Sequence, residues 1–447
     1  MNKTTRKTIV IGAGMAGIAA ARTLHDAGYS VKILEARERI GGRTHTDRSL
    51  GPTIDLGASW IHGHIGNPLT PLAKQAGVEM KYTDFINQWG TSIMAFDADG
   101  NPLEINEYTE GLQAFAGAET HLFGSILHRV PDTNVRSVAD LYRHGLPGTE
   151  SMTPTQQKGF YYTSVICAQY SDAADIDEID WWLSDAYVSL PGGDMLLYGG
   201  GYNAITDHLA EGLEIENGVI VEEIAHSDDG ATLTLNRSDG QSQESCDCVI
   251  VTVPLGVLKA DSIRFTPELP REKQEAIRRI GMGNYEKLAL RFPRCFWPTE
   301  PQRFHYLTDQ SPELWTSWLN NAHFTGEPIL VAYHSGSRAQ AINLLSDDAL
   351  IEEALAVLSR IFGPTLNEAE IPAPTSYLRT GWENDPFAQG SYSFSKVSGR
   401  PDDRGILAQP VGGRLFFAGE ATHPHYFATV HGAYETGIRA AHEVQNR

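Results

Sequence analysis

The chain has 447 residues, of which 41% are apolar and 20% charged, with 43 glycines. That length predicts two or three domains, and no segment is long and apolar enough to span a bilayer. With 35 basic against 56 acidic residues the formal net charge is −21, which disfavours nucleic acid and anionic membranes as partners and admits a cationic substrate.

The N-terminus, MNKTTRKTIVIGAGMAGIAA, places basic residues before an apolar run, as signal peptides do. No small-residue cleavage site ends the run, and its glycines have another use. KTIVIGAG reads as a buried strand entering a glycine turn. Residues 15–27 read as an alanine-rich helix ended by Gly28, and SVKILEA as a second strand. A βαβ unit therefore opens the chain. Gly12, Gly14 and Gly17 stand in G-x-G-x-x-G spacing. The first allows a tight turn, and the second lets the backbone, with Ala16 at the helix start, approach a pyrophosphate. The third lets helix and strand pack closely. Glu35 ends the next strand about 20 positions on, where a carboxylate accepts both ribose hydroxyls. The sequence predicts a dinucleotide site.

EARERIGGRTHT follows, with Arg43 directly after two glycines, a pattern suited to a diphosphate or a polar ring edge. Residues 65–200 mix helical stretches with aromatic and acidic residues. Residues 213–253 are strand-rich, punctuated by DDG and SDG turns. In GMGNYEKLALRF, alternation puts Leu288, Leu290 and Phe292 on one face and Lys287, Ala289 and Arg291 on the other. Residues 295–375 alternate strands with the helix DDALIEEALAVLSRIF, and the chain closes on one more strand and helix. Three nucleotide-domain pieces (1–80, 199–290, 379–447) interleave with two substrate-domain pieces (81–198, 291–378). Cys167, Cys246, Cys248 and Cys295 form no C-x-x-C pair, which predicts a reduced, cytoplasmic protein. No histidine pair has metal-ligand spacing with acidic support, so no metal is expected.

Seven stretches carry a resemblance: EARERIGGRTHT, DLGASWIHG, GGGYNAI, VIVEEI, VTVPLGVL, GWENDPFAQGSYS and FFAGEATHPHYFATVHGAYETG. In this order they resemble the flavin-containing amine oxidases, which include monoamine, polyamine and L-amino-acid oxidases and the lysine-specific histone demethylases. The match is weak over about 85–190 and 300–375. The resemblance implies an α/β (α+β) architecture, a Rossmann-like FAD-binding domain with an interleaved substrate-binding domain, and FAD as cofactor. It implies that Ala36, Arg37, Gly42 and Arg43 help hold FAD, and that Gly57, Ala58, Ser59 and Trp60 form a flavin-facing loop. Val221 would contact adenine through its backbone, with Val253 and Pro254 in the strand and turn that follow. Trp382 would lie beside the flavin, Gly419 and Glu420 near the ribityl and phosphate groups, and Thr429 and Val430 at the start of a helix facing the ring.

The chemistry so implied is removal of a hydride equivalent from a carbon beside an amine, with the imine hydrolysing and oxygen becoming hydrogen peroxide. Lys287 resembles the lysine that fixes a water near the flavin. Tyr392 resembles the tyrosine whose face attracts the substrate nitrogen. Ser391 stands where monoamine oxidases carry a flavin-bonding cysteine, which implies non-covalent FAD. Thr429 stands where they carry a second tyrosine, a pattern closer to polyamine oxidases and histone demethylases. The loop GASWIHGHIGNPLT resembles that of animal spermine and acetylpolyamine oxidases. It places Trp60 and His62 on the substrate side, His62 to orient the nitrogen or alter its protonation. SDAADIDEIDWWLSDAY offers Glu178, Asp180, Trp181 and Asp185 to a distal ammonium, against the simpler reading of a solvated acidic face beside core tryptophans. The expected function is FAD-dependent oxidation of a polyamine with oxygen as acceptor, without nucleic-acid or membrane partners. The alternatives are an oxidase of another amine, an L-amino-acid oxidase, or a flavin-binding protein without turnover. A demethylase role lacks a basic surface signal.

Overall fold

The computed structural model describes residues 6–83, 92–114, 136–143, 151–184, 186–308, 314–365 and 371–447. The apolar run of the strand Lys7–Ile11 lies in a five-stranded sheet in the order Leu415–Phe417, Cys248–Val251, Lys7–Ile11, Ser30–Leu34, Glu214–Glu216. All its pairings are parallel, and both faces are covered, as parallel sheets require. Val10, Ile33 and Ile250 pack against the alanine-rich helix Met15–Asp26 and the helix Val430–Gln445. Ile9, Leu34 and Val249 pack against Ile224, Leu233 and Leu235 of a four-stranded sheet built from residues 220–266.

A second, six-stranded sheet runs in the order Ser376–Arg379, Tyr285–Arg291, Ile329–Ser335, Ser317–Asn320, Arg303–Tyr306, Ile93–Phe96. Its pairings are antiparallel except the last. The predicted alternation holds: Leu288, Leu290 and Phe292 join Leu350, Ala354 and Leu358 of the helix Asp347–Phe362. Ala289 faces the opposite way, into a cluster with Trp60, Tyr162 and Tyr333. The strand carrying Lys287 pairs inside this sheet and follows the link at Asn284. The strand before that link, Gly281–Gly283, pairs with Tyr392–Phe394.

A smaller sheet joins the two regions in the order Trp60–Ile61, Asp194–Gly199, Glu79–Thr83. Its register, Trp60 to Leu196 and Ile61 to Met195, puts the next residue on each strand, His62 and Asp194, opposite one another.

Candidate active site

A cavity of about 1230 Å³ reaches residues of the five-, four- and six-stranded sheets and of the smaller joining sheet. This exceeds the range of about 300–1,000 Å³ typical of small-ligand sites, so a dinucleotide and a further small molecule have room together.

One end is built by the opening βαβ unit. Gly12 has φ +102°, and a Cβ on Gly17 would fall 1.9 Å from the Gly12 carbonyl oxygen, so neither position accepts a side chain. Gly14 differs: its φ is −77° and a Cβ there would meet nothing within 4 Å. It caps the helix Met15–Asp26 without a side-chain cap and with no acidic residue in the first turn. An open space at an uncapped helix N-terminus fits a diphosphate. The Glu35 carboxylate is fixed at the strand end by the backbone amides of Ala13 (2.7 Å) and Arg37 (2.9 Å). Ala16, Ala36, Gly42, Val221, Val253 and Pro254 also line this cavity, whereas Gly17 packs beneath it. The residues present fit FAD.

Arg37 and Arg43 line the cavity too, and each is paired with a carboxylate from the far end of the chain. Arg37 Nη2 donates to Asp385 at 2.6 and 2.7 Å, and its guanidinium lies 5.3 Å from the Phe387 ring. Arg43 Nη1 donates to Glu420 (3.0 Å) and to the Ser391 carbonyl (2.9 Å). Glu420 also accepts from Ser393 Oγ (2.6 Å) and the Ala428 amide (2.8 Å). Burial pushes this carboxyl up, but Arg43, Ser393 and Arg404 outweigh it and hold it low and ionised. Gly419 lies beside it with φ +131°.

Lys287 is 4% exposed. Its ammonium donates to the Asp55 carbonyl (2.8 Å), the Gly57 carbonyl and Ser59 Oγ (2.7 Å). An ammonium has three donors, and all three are engaged. The group clamps the loop 55–59 onto the six-stranded sheet. Burial pushes the Lys287 ammonium down, opposed by Asp55, while burial pushes the Asp55 carboxyl up. Gly57, Ala58, Ser59 and Trp60 of the clamped loop line the cavity, as does Trp382, whose Nε1 donates to the Leu56 carbonyl (3.3 Å).

Thr429 stands at the start of the helix Val430–Gln445. It lines the cavity, but its hydroxyl caps the helix Val430–Gln445, accepting from the Gly432 amide (3.0 Å) and donating to the Tyr426 carbonyl (2.7 Å). It has no second hydroxyl proton to offer a substrate. Val430 continues the same lining.

Beyond this region Tyr170, Tyr285, Tyr392 and Trp60 line the cavity, with Tyr333 packed behind them. The Tyr392 ring is 6.0 Å from Tyr285, which lies 5.6 Å from Tyr170 and 5.8 Å from Tyr333, and Tyr333 is 6.0 Å from Trp60. The Tyr392 hydroxyl donates to the Tyr170 carbonyl, and burial holds it well above the usual phenol range, hence neutral. Ser391 Oγ donates to the Tyr285 carbonyl (2.9 Å) and accepts from its amide (2.7 Å).

Two carboxylates missed in the sequence face the same cavity. Asp194 Oδ2 lies 3.2 Å from His62 Nδ1, and its Oδ1 accepts from the Gly63 amide (3.2 Å). Asp172 accepts from Ser184 Oγ (3.4 Å), and burial pushes its carboxyl up to about 7 against the pull of Arg404. Of the predicted acidic partners, Glu178 and Asp180 do not line the cavity. Glu178 is 46% exposed, pairs with Lys396 at 3.3 Å and does not line the cavity. Asp180 is buried against Arg136 (3.0 Å) and caps the turn of helix at Trp181. Trp181 does line the cavity, and Asp185 lies outside the described residues. The acidic run signalled a carboxylate, but Ala173 at φ +54° reverses the chain after Asp172, and only the three-dimensional path shows which acid faces inward.

The family model for flavin containing amine oxidoreductases matches residues 15–445. Polyamine oxidase 4 of Oryza sativa subsp. japonica is 35% identical over 98% of this chain and 88% of its own length. Polyamine oxidase 2 of Arabidopsis thaliana is 34% identical over 100% and 89%. Lysine-specific histone demethylase 2 of Homo sapiens is 31% identical over 98% of this chain but only 53% of its own length. A glycine cradle shaped for a diphosphate, a clamped loop along one cavity and a match over nearly the whole chain agree: the protein belongs to the flavin containing amine oxidoreductases, and FAD is its cofactor.

Proposed function

We propose that the protein is an FAD-dependent oxidase of a polyamine of the spermine or spermidine type, with oxygen as acceptor. The observation that carries this reading is the charge of the cavity. Among its described lining residues, Arg37, Arg43 and Lys287 are the lysines and arginines, and all three are already bound by protein groups. No lining arginine among them is left to clamp a carboxylate, which disfavours an amino acid. Asp172 and Asp194, which line the same cavity as Tyr392 and Trp60, instead favour a chain bearing more than one ammonium.

FAD, when bound, accepts the two electrons. The chain's residues do the rest. The Gly14 turn and Glu35 hold the nucleotide, and Lys287 keeps the loop 55–59 against it. Tyr392 and Trp60 present ring faces to the substrate nitrogen, and the aromatic wall excludes water from the bond being oxidised. A serine at 391 leaves no thiol there for a covalent flavin bond, and the four free cysteines suit a reducing compartment such as the cytoplasm.

A peroxide-release screen tests this. Spermine, spermidine or their acetylated forms are expected to turn over, well ahead of aromatic monoamines and amino acids. Acid precipitation is expected to release the flavin into the supernatant. Turnover of amino acids alone, or of methyl-lysine peptides alone, sinks the polyamine reading.

A further inference from the structure

We propose that Glu286 is a positioning residue that sets the Trp382 indole in the wall of the FAD cavity. The proposal rests on FAD as cofactor and goes beyond it in naming the group that aims one side of its site.

Glu286 and Lys287 are neighbours on one strand, so their side chains leave it on opposite faces. Both are buried, Glu286 completely. Lys287 holds the loop 55–59. Glu286 holds the segment 380–383. Thr380 Oγ1 donates to Glu286 Oε2. The Glu383 amide donates to Oε1 at 3.4 Å, and the Trp382 amide bonds the same carboxylate. Asn343 Nδ2 adds a donor at 3.2 Å from the end of the helix Gly336–Asn343. An ionised carboxylate offers about four lone-pair sites, and four donors from two segments converge on this one. Burial raises the Glu286 carboxyl, and these bonds draw it back. A buried carboxylate costs stability even when well bonded; what it supplies here is a fixed position.

The two loops so held then meet. Thr380 Oγ1 accepts from the Lys287 amide (2.8 Å), and the Thr380 amide donates to the Lys287 carbonyl (3.0 Å). Trp382 Nε1 donates to the Leu56 carbonyl at 3.3 Å. Trp382 is thus fixed at both ends, its backbone by Glu286 and its indole by the loop that Lys287 holds. Trp382 and residues 56–60 all line the cavity. Consecutive residues of one strand therefore set two adjoining stretches of its wall. Placement there matters, because a shift of about 1 Å from a change remote from the chemistry can cost about 100-fold in rate.

Indole ¹⁵N NMR and anaerobic kinetics on the FAD-loaded protein test this. The chain has 8 tryptophans, and the signal lost in Trp382→Phe assigns the Trp382 Nε1–H. Glu286→Gln keeps the side-chain volume and removes the charge. It is expected to move that signal and to speed its hydrogen exchange about tenfold as the bond to Leu56 loosens. It is also expected to slow cofactor reduction by substrate about tenfold at unchanged FAD content and unchanged substrate Kd, with Glu286→Asp recovering part of the loss. On a Trp382→Phe background, Glu286→Gln is expected to add less than about twofold. An unmoved indole signal, or losses that add fully, overturns the proposal and leaves Glu286 with a role in folding alone. If Glu286→Gln does not fold, Asn343→Ala removes one of the four donors from outside the segment 380–383 and is read by the same signal, with the same two outcomes. If no amine reduces the parent enzyme, the functional reading fails instead, and the indole signal still decides whether Glu286 sets Trp382.

Discussion

At the scale of single residues, two side chains do work that their type alone does not announce. Lys287 spends its whole donor set on the loop 55–59. Lys287→Met leaves the Asp55 and Gly57 carbonyls without their donor, at a cost of about 1–3 kcal/mol for each buried group. Its expected effects are a lower melting temperature, weaker FAD binding in fluorescence titration and cofactor reduction slowed at least about tenfold. An unchanged FAD affinity would show that the loop does not depend on the clamp. Asp172, raised to about 7 by burial, ties function to stability with opposite signs. Its folded value lies above the unfolded one, so its stabilising contribution is complete below about pH 4 and lost as pH rises through about 7. The charge that attracts a cation appears over the same upper range. KM is therefore expected to fall as pH rises through 7. Asp172→Asn is expected to flatten that profile and raise KM about tenfold at pH 8, while the apoprotein at pH 8 melts higher than the parent.

At the scale of elements, the opening βαβ unit shows what a sequence reveals. Its glycines obey local constraints, a positive φ at Gly12 and van der Waals contact at Gly17, and local constraints are written in local spacing. The structure separates the glycines into two kinds. Gly14→Ala has an allowed backbone and meets no atom. The apoprotein is expected to melt as before while FAD affinity drops about tenfold or more, since the methyl occupies the diphosphate's space. Gly17→Ala drives its methyl into the Gly12 carbonyl and is expected to cost about 3 kcal/mol of stability as well. The strand at Lys287 was legible in the same way, because alternation fixes faces. Its target was not, since the loop 55–59 lies more than 200 positions earlier and the sequence gives no distance between them. Asp194 was hidden for that reason: only sheet register brings it to His62. Glu178 was misplaced because an acidic run carries charge but no direction, whereas the left-handed turn at Ala173 supplies it.

At the scale of the molecule, the cavity draws its lining from the first strand, the six-stranded sheet and the last helix. Bound FAD would therefore contact several regions of the chain at once. Loading is expected to raise the melting temperature by several degrees, since ligand at about 100 times Kd adds about 2.7 kcal/mol, and to merge any separate transitions into one in calorimetry. Two melting steps that persist in the loaded protein would contradict this. The pairing of Arg37 with Asp385 and of Arg43 with Glu420 has a consequence in time as well as in space. A ribosome releases the two arginines 348 and 377 positions before their carboxylates. The Gly437 backbone that seats against Ala16 comes later still. Until then the nascent chain holds half of each ion pair and a helix without its neighbour, so the cofactor's cradle waits for residues far downstream of the glycine turn.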